Sequence, residues 1–122
     1  MTRVAGTIML FDGKSEPLFL VDQTVNVGFV TAERDNNEEM TNLGVILSKL
    51  KHIGIDTSQL QLVDLVDVSH HGQHHTPLFV FALDSEEYVT VTDVERYTWT
   101  KTATFQQLLG NVTLEDIAGI RY

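Results

Sequence analysis

Residues 38–55 read EEMTNLGVILSKLKHIGI, and this stretch organises the rest of the chain. Met40, Leu43, Leu47 and Leu50 recur at spacings of three and four, while Ile46 and Ile53 widen the stripe. That period lays one apolar face along an α-helix running from about Glu38 to Ile53. Asn36 or Asn37 can cap its start, and Glu38 and Glu39 suit the positive end of the helix dipole. Lys49, Lys51 and His52 fall in the last turn, where positive charge is favoured. Gly54 then supplies the left-handed residue that ends many helices. Gly44, inside the helix, costs about 1 kcal/mol against alanine, which points to a strand approaching closely there.

Outward from the helix, both flanks are rich in strand formers. Ala5–Leu10 and Pro17–Val21 surround Asp12-Gly13-Lys14-Ser15, and Asp-Gly between such runs signals a hairpin. Thr24–Thr31 reads as a further strand, with Val25, Val27 and Phe29 on one face. Glu33–Glu39 is polar and forms a loop. After the helix, Leu60–Val68 and the apolar run Pro77–Leu83 read as strands joined by the His-rich stretch Ser69–Thr76. Tyr88–Val91 and Glu95–Trp99 are short strands. A second helix begins at Thr104, uses Phe105, Leu108 and Leu109 as its apolar side, and stops at Gly110-Asn111. Leu114, Ile117 and Ile120 suggest a last helical turn. With no repeat or linker, residues 1–122 read as a single α+β domain.

Composition limits the function classes. A hydrophobic fraction of 43% is that of a globular chain rather than a disordered one. The absence of cysteine removes disulfides, thiolate nucleophiles and Cys-ligated metals. Seventeen acidic against 8 basic residues leave a net charge of −9, a field that disfavours nucleic-acid backbones and anionic membranes. A small anionic ligand in a local pocket is compatible with it. The start lacks the pattern of a signal peptide and no apolar run is long enough to span a bilayer, so the expected location is cytoplasmic.

The order of elements resembles the Nudix hydrolases, MutT-like proteins built as an α/β/α sandwich. Three stretches carry the resemblance: Gly54-Ile55 closing the helix, Gly72-Gln73-His74-His75 before Leu78-Phe79-Val80-Phe81, and Glu95-Arg96-Tyr97-Thr98-Trp99 before Phe105–Leu109. The resemblance covers most of the chain. It implies a mixed, largely antiparallel sheet with the main helix on one face and the C-terminal helix on the other. It also implies a box over positions 33–55 whose carboxylates hold magnesium or manganese against a diphosphate. Of the four acidic positions of that box only Glu39 matches. The opening glycine is Glu33, the Arg-Glu pair is Leu47-Ser48, and the paired glutamates are Lys51-His52. The box is degenerate.

The cluster His70, His71, His74, His75 has spacings at which imidazoles bind transition metals, with His71 and His75 as the pair to expect. A solvated strand connection is the commoner fate of such a loop. The acids Glu33, Asp35, Glu38 and Glu39 read as a solvated face. Tyr97 and Trp99 can stack on a flat ligand beside His75, although a lone Trp more often packs in the core. No serine sits in a nucleophile-elbow context and no Gly-rich phosphate loop is present.

The expectation is a Nudix-like domain without metal-dependent catalysis, acting through a small phosphate-containing ligand or through protein association. The alternative is a divergent hydrolase of diphosphate linkages that uses Glu39 with acids such as Glu86, Glu87 or Glu95. A His-loop metal-binding protein is third. The apolar segment around Val89 and Val91 is a candidate homodimer edge.

Overall fold

The computed structural model of the protein describes residues 2–13, 16–24, 26–35, 40–69 and 75–110. Strands β1 (Thr2–Leu10), β2 (Leu18–Asp22) and β3 (Val30–Arg34) precede helix α1 (Asn42–Ile53). Strands β4 (Gln61–Ser69) and β5 (His75–Leu83) follow, then β6 (Tyr97–Thr100) and helix α2 (Thr102–Leu109). Two 3-10 turns, Thr57–Gln59 and Glu86–Tyr88, lie between them.

These six strands form one mixed sheet, five of them in the order β4-β5-β1-β2-β6 and β3 off that path on β1. β1 is its organiser. On one side it runs parallel to β5, from Ala5 opposite Leu78 to Leu10 opposite Leu83. On the other it pairs antiparallel with β3 through Thr2–Gly6 and with β2 through Met9 and Leu10. A central strand covered on both faces needs apolar residues at successive positions, which explains the unbroken buried run Val4–Leu10. Its one buried polar residue, Thr7, donates its hydroxyl to the Leu20 carbonyl at 3.1 Å.

The two helices cover opposite faces. Ile46, Leu50 and Ile53 of α1 pack with Val4, Ile8, Leu20, Phe79 and Phe81. On the other face Phe105 and Leu109 of α2 pack with Ala5, Met9, Phe19, Val21 and Val80. Phe105 stacks on Phe19 with ring centroids 4.3 Å apart, and Phe29 meets Phe105 edge-on at 5.7 Å. This is the expected α+β sandwich.

Several local expectations move. The first hairpin forms, but Leu10 pairs with Leu18, so it spans a longer loop in which Asp12 (φ 44°) and Gly13 (φ 76°) take left-handed backbone. β3 occupies Val30–Arg34 instead of Thr24–Thr31. The chain before it is folded into a loop by reciprocal bonds between the Asp22 and Gly28 backbones and by an Asp22 carboxylate accepting from Thr24. α1 begins at Asn42 because the Thr41 hydroxyl accepts from the Gly44 N–H at 3.0 Å, and Met40 lies before the helix, 43% exposed. The helix therefore has no acid in its first turn. Its C-terminus is as expected: Gly54, at φ 122°, donates to the Leu50 and Lys51 carbonyls.

Close helix–sheet approach occurs at Gly6, not at Gly44. A Cβ on Gly6 would lie 2.6 Å from Ile46 Cγ1, whereas one on Gly44 would meet only Thr41 and Met40. Tyr88–Val91 is not a strand. Ser85 caps the Glu86–Tyr88 turn, and Val89 then makes a single bridge with Ile55. Val89 and Val91, the segment expected at a homodimer edge, pack partly buried against the core. α2 begins at Thr102, two residues early, and the expected turn of Leu114, Ile117 and Ile120 lies outside the described residues. Among the described residues, no helix is long and apolar enough to cross a membrane.

Candidate functional site

The helix sets the first part of the site. One turn of α1 separates inward from outward positions, so the burial of Ile46, Leu50 and Ile53 fixes the rest. Leu47 packs on the core, while Ser48, Lys51 and His52 face solvent. These outward positions hold one hydroxyl, one ammonium and one imidazole where the resemblance requires carboxylates. Glu33 lies on β3, 3.7 Å from Arg3. Glu39 lies outside the described residues. A hard divalent cation takes oxygen ligands of high charge, so the described donors on α1 do not fit magnesium or manganese.

At the end of α1 a cleft of about 280 Å³ opens between the Gly54–Asp56 turn and the Glu87–Thr90 segment. Two facing bonds lace its walls together. Thr90 N–H donates to the Gly54 carbonyl at 2.7 Å, and Asp56 N–H donates to the Tyr88 carbonyl at 2.9 Å. The Thr90 hydroxyl adds a second bond to Gly54 O at 2.9 Å. Lys51, Asp56, Glu87 and Tyr88 supply the polar lining, with the buried Ile55 beneath. The Tyr88 hydroxyl donates to the Glu87 carboxylate, and that bond, aided by the carboxylate charge, pushes the phenol pKa upward. Of the acids the sequence offered from outside the box, Glu87 reaches this cleft. Glu86 directs its N–H toward Asp12, and Glu95 uses its carbonyl to accept from Gln23.

A second constellation sits where β6 meets α1. Tyr97 and Trp99 alternate onto the α1 face of the sheet, Tyr97 only 8% exposed and Trp99 partly so. The Tyr97 ring is flanked by cations from two elements. The Arg96 guanidinium carbon lies 4.9 Å from its centroid, and Lys49 Nζ of α1 lies 6.0 Å away. Arg96 is held by Asp22, with Nη2 3.1 Å and Nε 3.2 Å from Oδ2. Burial opposes the Asp22 carboxylate, but bonds from Arg96 and Thr24 and the guanidinium charge outweigh it and hold its pKa below the ordinary value. Among the described residues Lys49 pairs with no carboxylate.

Other sequence candidates divide. His75 opens β5 opposite Ser69, and His71 falls outside the described residues. Among the described residues, no three His, Cys, Asp or Glu side chains gather in a way that could hold a metal. Asp22 and Asp56 carry no local signal in the sequence, and Lys49 reads there only as a charge near the helix C-terminus. Each matters through a partner far along the chain.

No protein-family model matches the sequence, and no curated protein matches it. Solved structures do match. An Ap4A hydrolase from C. elegans superposes with a TM-score of 0.63 at 12% identity, over 90% of this chain and 88% of that one. A Nudix hydrolase from M. smegmatis, RenU, gives 0.56 at 12% identity, over 88% and 75%. The NUDIX domain of Shewanella oneidensis NrtR, solved in complex with ADP ribose, gives 0.54 at 12% identity, over 88% and 77%. At such identities the likeness establishes architecture, and the architecture of this chain is the Nudix fold.

Proposed function

We propose that this chain is a Nudix-fold binding domain that lacks metal-dependent hydrolysis and takes a small phosphate-bearing ligand or a protein partner. The observation that carries this reading is the outward face of α1, which presents Ser48, Lys51 and His52 and no carboxylate where the resemblance expects ligand carboxylates. An ammonium there repels the cation that hydrolysis in this fold would need. The corner of Lys49, Tyr97 and Trp99 supports ligand binding. It offers an ammonium that pairs with no carboxylate among the described residues and a partly exposed indole on one face of the sheet. A phosphate meets the ammonium there, and a flat group meets the indole. The NrtR domain's complex with ADP ribose supports the idea that this fold can hold a diphosphate-linked ligand.

The test is a phosphate-release assay and a thermal-shift assay run side by side with ADP-ribose and Ap4A, each with magnesium, manganese or neither. The expected result is a raised melting temperature without turnover in any metal. Metal-dependent release of phosphate products overturns it.

The second reading, a divergent hydrolase, is favoured by the position of Glu87 in the cleft beside Lys51. It requires turnover that Glu39→Gln abolishes, and a rate unchanged by that substitution removes Glu39 from the reading.

A further inference from the structure

The cleft at the end of α1 carries opposite charges that do not meet. Lys51 lines it from the helix, Asp56 from the following turn, and Glu87 from the 86–88 turn. Yet among the described residues no ion pair joins Lys51 to either carboxylate. The backbone keeps the two walls in place: the Thr90–Gly54 and Asp56–Tyr88 bonds and the Ile55–Val89 bridge fix where each side chain starts. The volume, about 280 Å³, is near the small end of ligand cavities.

We propose that this cleft binds a small organic zwitterion, with the ligand's ammonium between Asp56 and Glu87 and its anionic group at Lys51. A simple anion would find one favourable partner and two carboxylates, within a chain of net charge −9. Asp56 Oδ1 accepts from the Ser58 N–H and hydroxyl and Glu87 accepts from Tyr88, which leaves each carboxylate further acceptor capacity. A simple cation would use it but bring a like charge to Lys51. A ligand bearing both charges satisfies both walls at once, which neither singly charged molecule does. The half-buried Tyr88 ring adds an aromatic face for the ammonium end. The inference concerns a different surface from the Lys49–Trp99 corner and rests on the reading that this cleft does not serve diphosphate hydrolysis.

The experiment follows backbone amide shifts of isotope-labelled protein during titration with glycine, β-alanine, γ-aminobutyrate and δ-aminovalerate. This series lengthens the charge separation one methylene at a time. Butylamine and butyrate serve as singly charged controls. One member of the series is expected to shift Gly54, Ile55 and Glu87–Thr90 saturably, with both controls weaker by about fivefold or more. Lys51→Met is expected to reduce the best zwitterion to the level of butylamine. Glu87→Gln is expected to weaken the zwitterion and butylamine together. Both side chains are exposed, so the variants should keep the wild-type melting temperature and spectrum. The proposal is overturned if no member shifts these amides saturably, if butylamine binds as tightly as the best zwitterion, or if either folded variant binds unchanged.

Discussion

Arg96 reaches across 74 positions of sequence to Asp22, placing Nη2 3.1 Å from Oδ2, and in the same pose lays its guanidinium 4.9 Å from the Tyr97 centroid. One side chain thus ties the end of β2 to the turn before β6 and covers the aromatic ring that follows it. Gln23 repeats the tie, its N–H donating to the Arg96 carbonyl at 2.7 Å. The corner that presents Lys49 and Trp99 therefore depends on a carboxylate in a neighbouring strand.

This relationship predicts a pH-dependent loss of stability in Asp22→Asn. The folded-state pKa of Asp22 is depressed, so its contribution is fully present above the unfolded value near 3.8 and is lost as pH falls through the lower folded value. At neutral pH the variant should lose about 1–2 kcal/mol, a range already reduced for the partial exposure of Arg96. The gap to the wild type should close on acidification below the usual carboxylate range. Urea unfolding at a series of pH values measures it, and a gap independent of pH would contradict the assignment.

Gly54→Ala should be costly for two separate reasons. The residue holds φ 122°, which a side chain disfavours, and its Cβ would lie 2.6 Å from the Thr90 carbonyl oxygen, a backbone atom that cannot rotate away. A loss of roughly 2–3 kcal/mol is expected from strain and displaced backbone together. Gly6→Ala tests helix–sheet contact by another route, because its Cβ would meet the Ile46 side chain at 2.6 Å. Combining it with Ile46→Ala should give less destabilisation than the two single losses added, by about 0.5 kcal/mol or more. Additive losses in thermal or urea unfolding would place the clash elsewhere.

How much of this was legible in the sequence depended on how local the cause was. The stop of α1 was readable because Gly54 and the cations before it lie within one turn. The start was not, because Asn36, Asn37 and Thr41 are all competent caps and the bond from Gly44 decides between them. β3 was displaced for a similar reason: Val25, Val27 and Phe29 alternate well, but the Asp22–Gly28 bridge folds that stretch back on itself. Of the site, Ser48, Lys51 and His52 on α1 were legible as residues without a carboxylate, and so were Tyr97 and Trp99 as aromatic neighbours. The cleft was invisible, since it exists only where Gly54–Asp56 meets Tyr88–Thr90. The cations on Tyr97 escaped notice because Lys49 looked like a helix C-terminal charge.

Lys51→Glu offers a direct test of why α1 does not fit a divalent cation. The substitution would remove the ammonium and place a third carboxylate in the cleft already lined by Asp56 and Glu87. Hard cations respond to the number and charge of oxygen ligands. Manganese should therefore broaden the amide signals of Ile55 and Tyr88 in the variant at concentrations that leave the wild type unaffected. Equal broadening in both proteins would show that Lys51 is not what keeps the cation out.

Trp99 is the sole tryptophan of the chain, so its fluorescence reports on one corner of the molecule. If a flat phosphate-bearing ligand binds there, ADP-ribose should quench or shift that emission in a saturable way. Lys49→Met should then weaken binding by about three- to tenfold, the scale of one charge-assisted contact at a partly exposed site. The fold should tolerate it, because the methionine keeps the apolar stem beside Tyr97 and only the ammonium is removed. Raising the salt concentration should weaken the wild type more than Lys49→Met, since screening acts on the charge that the variant lacks. Emission that saturates with ADP-ribose yet ignores both the substitution and the salt would mean that stacking on Trp99 carries the affinity alone. Emission that does not respond to ADP-ribose at all would favour a protein partner over a small ligand.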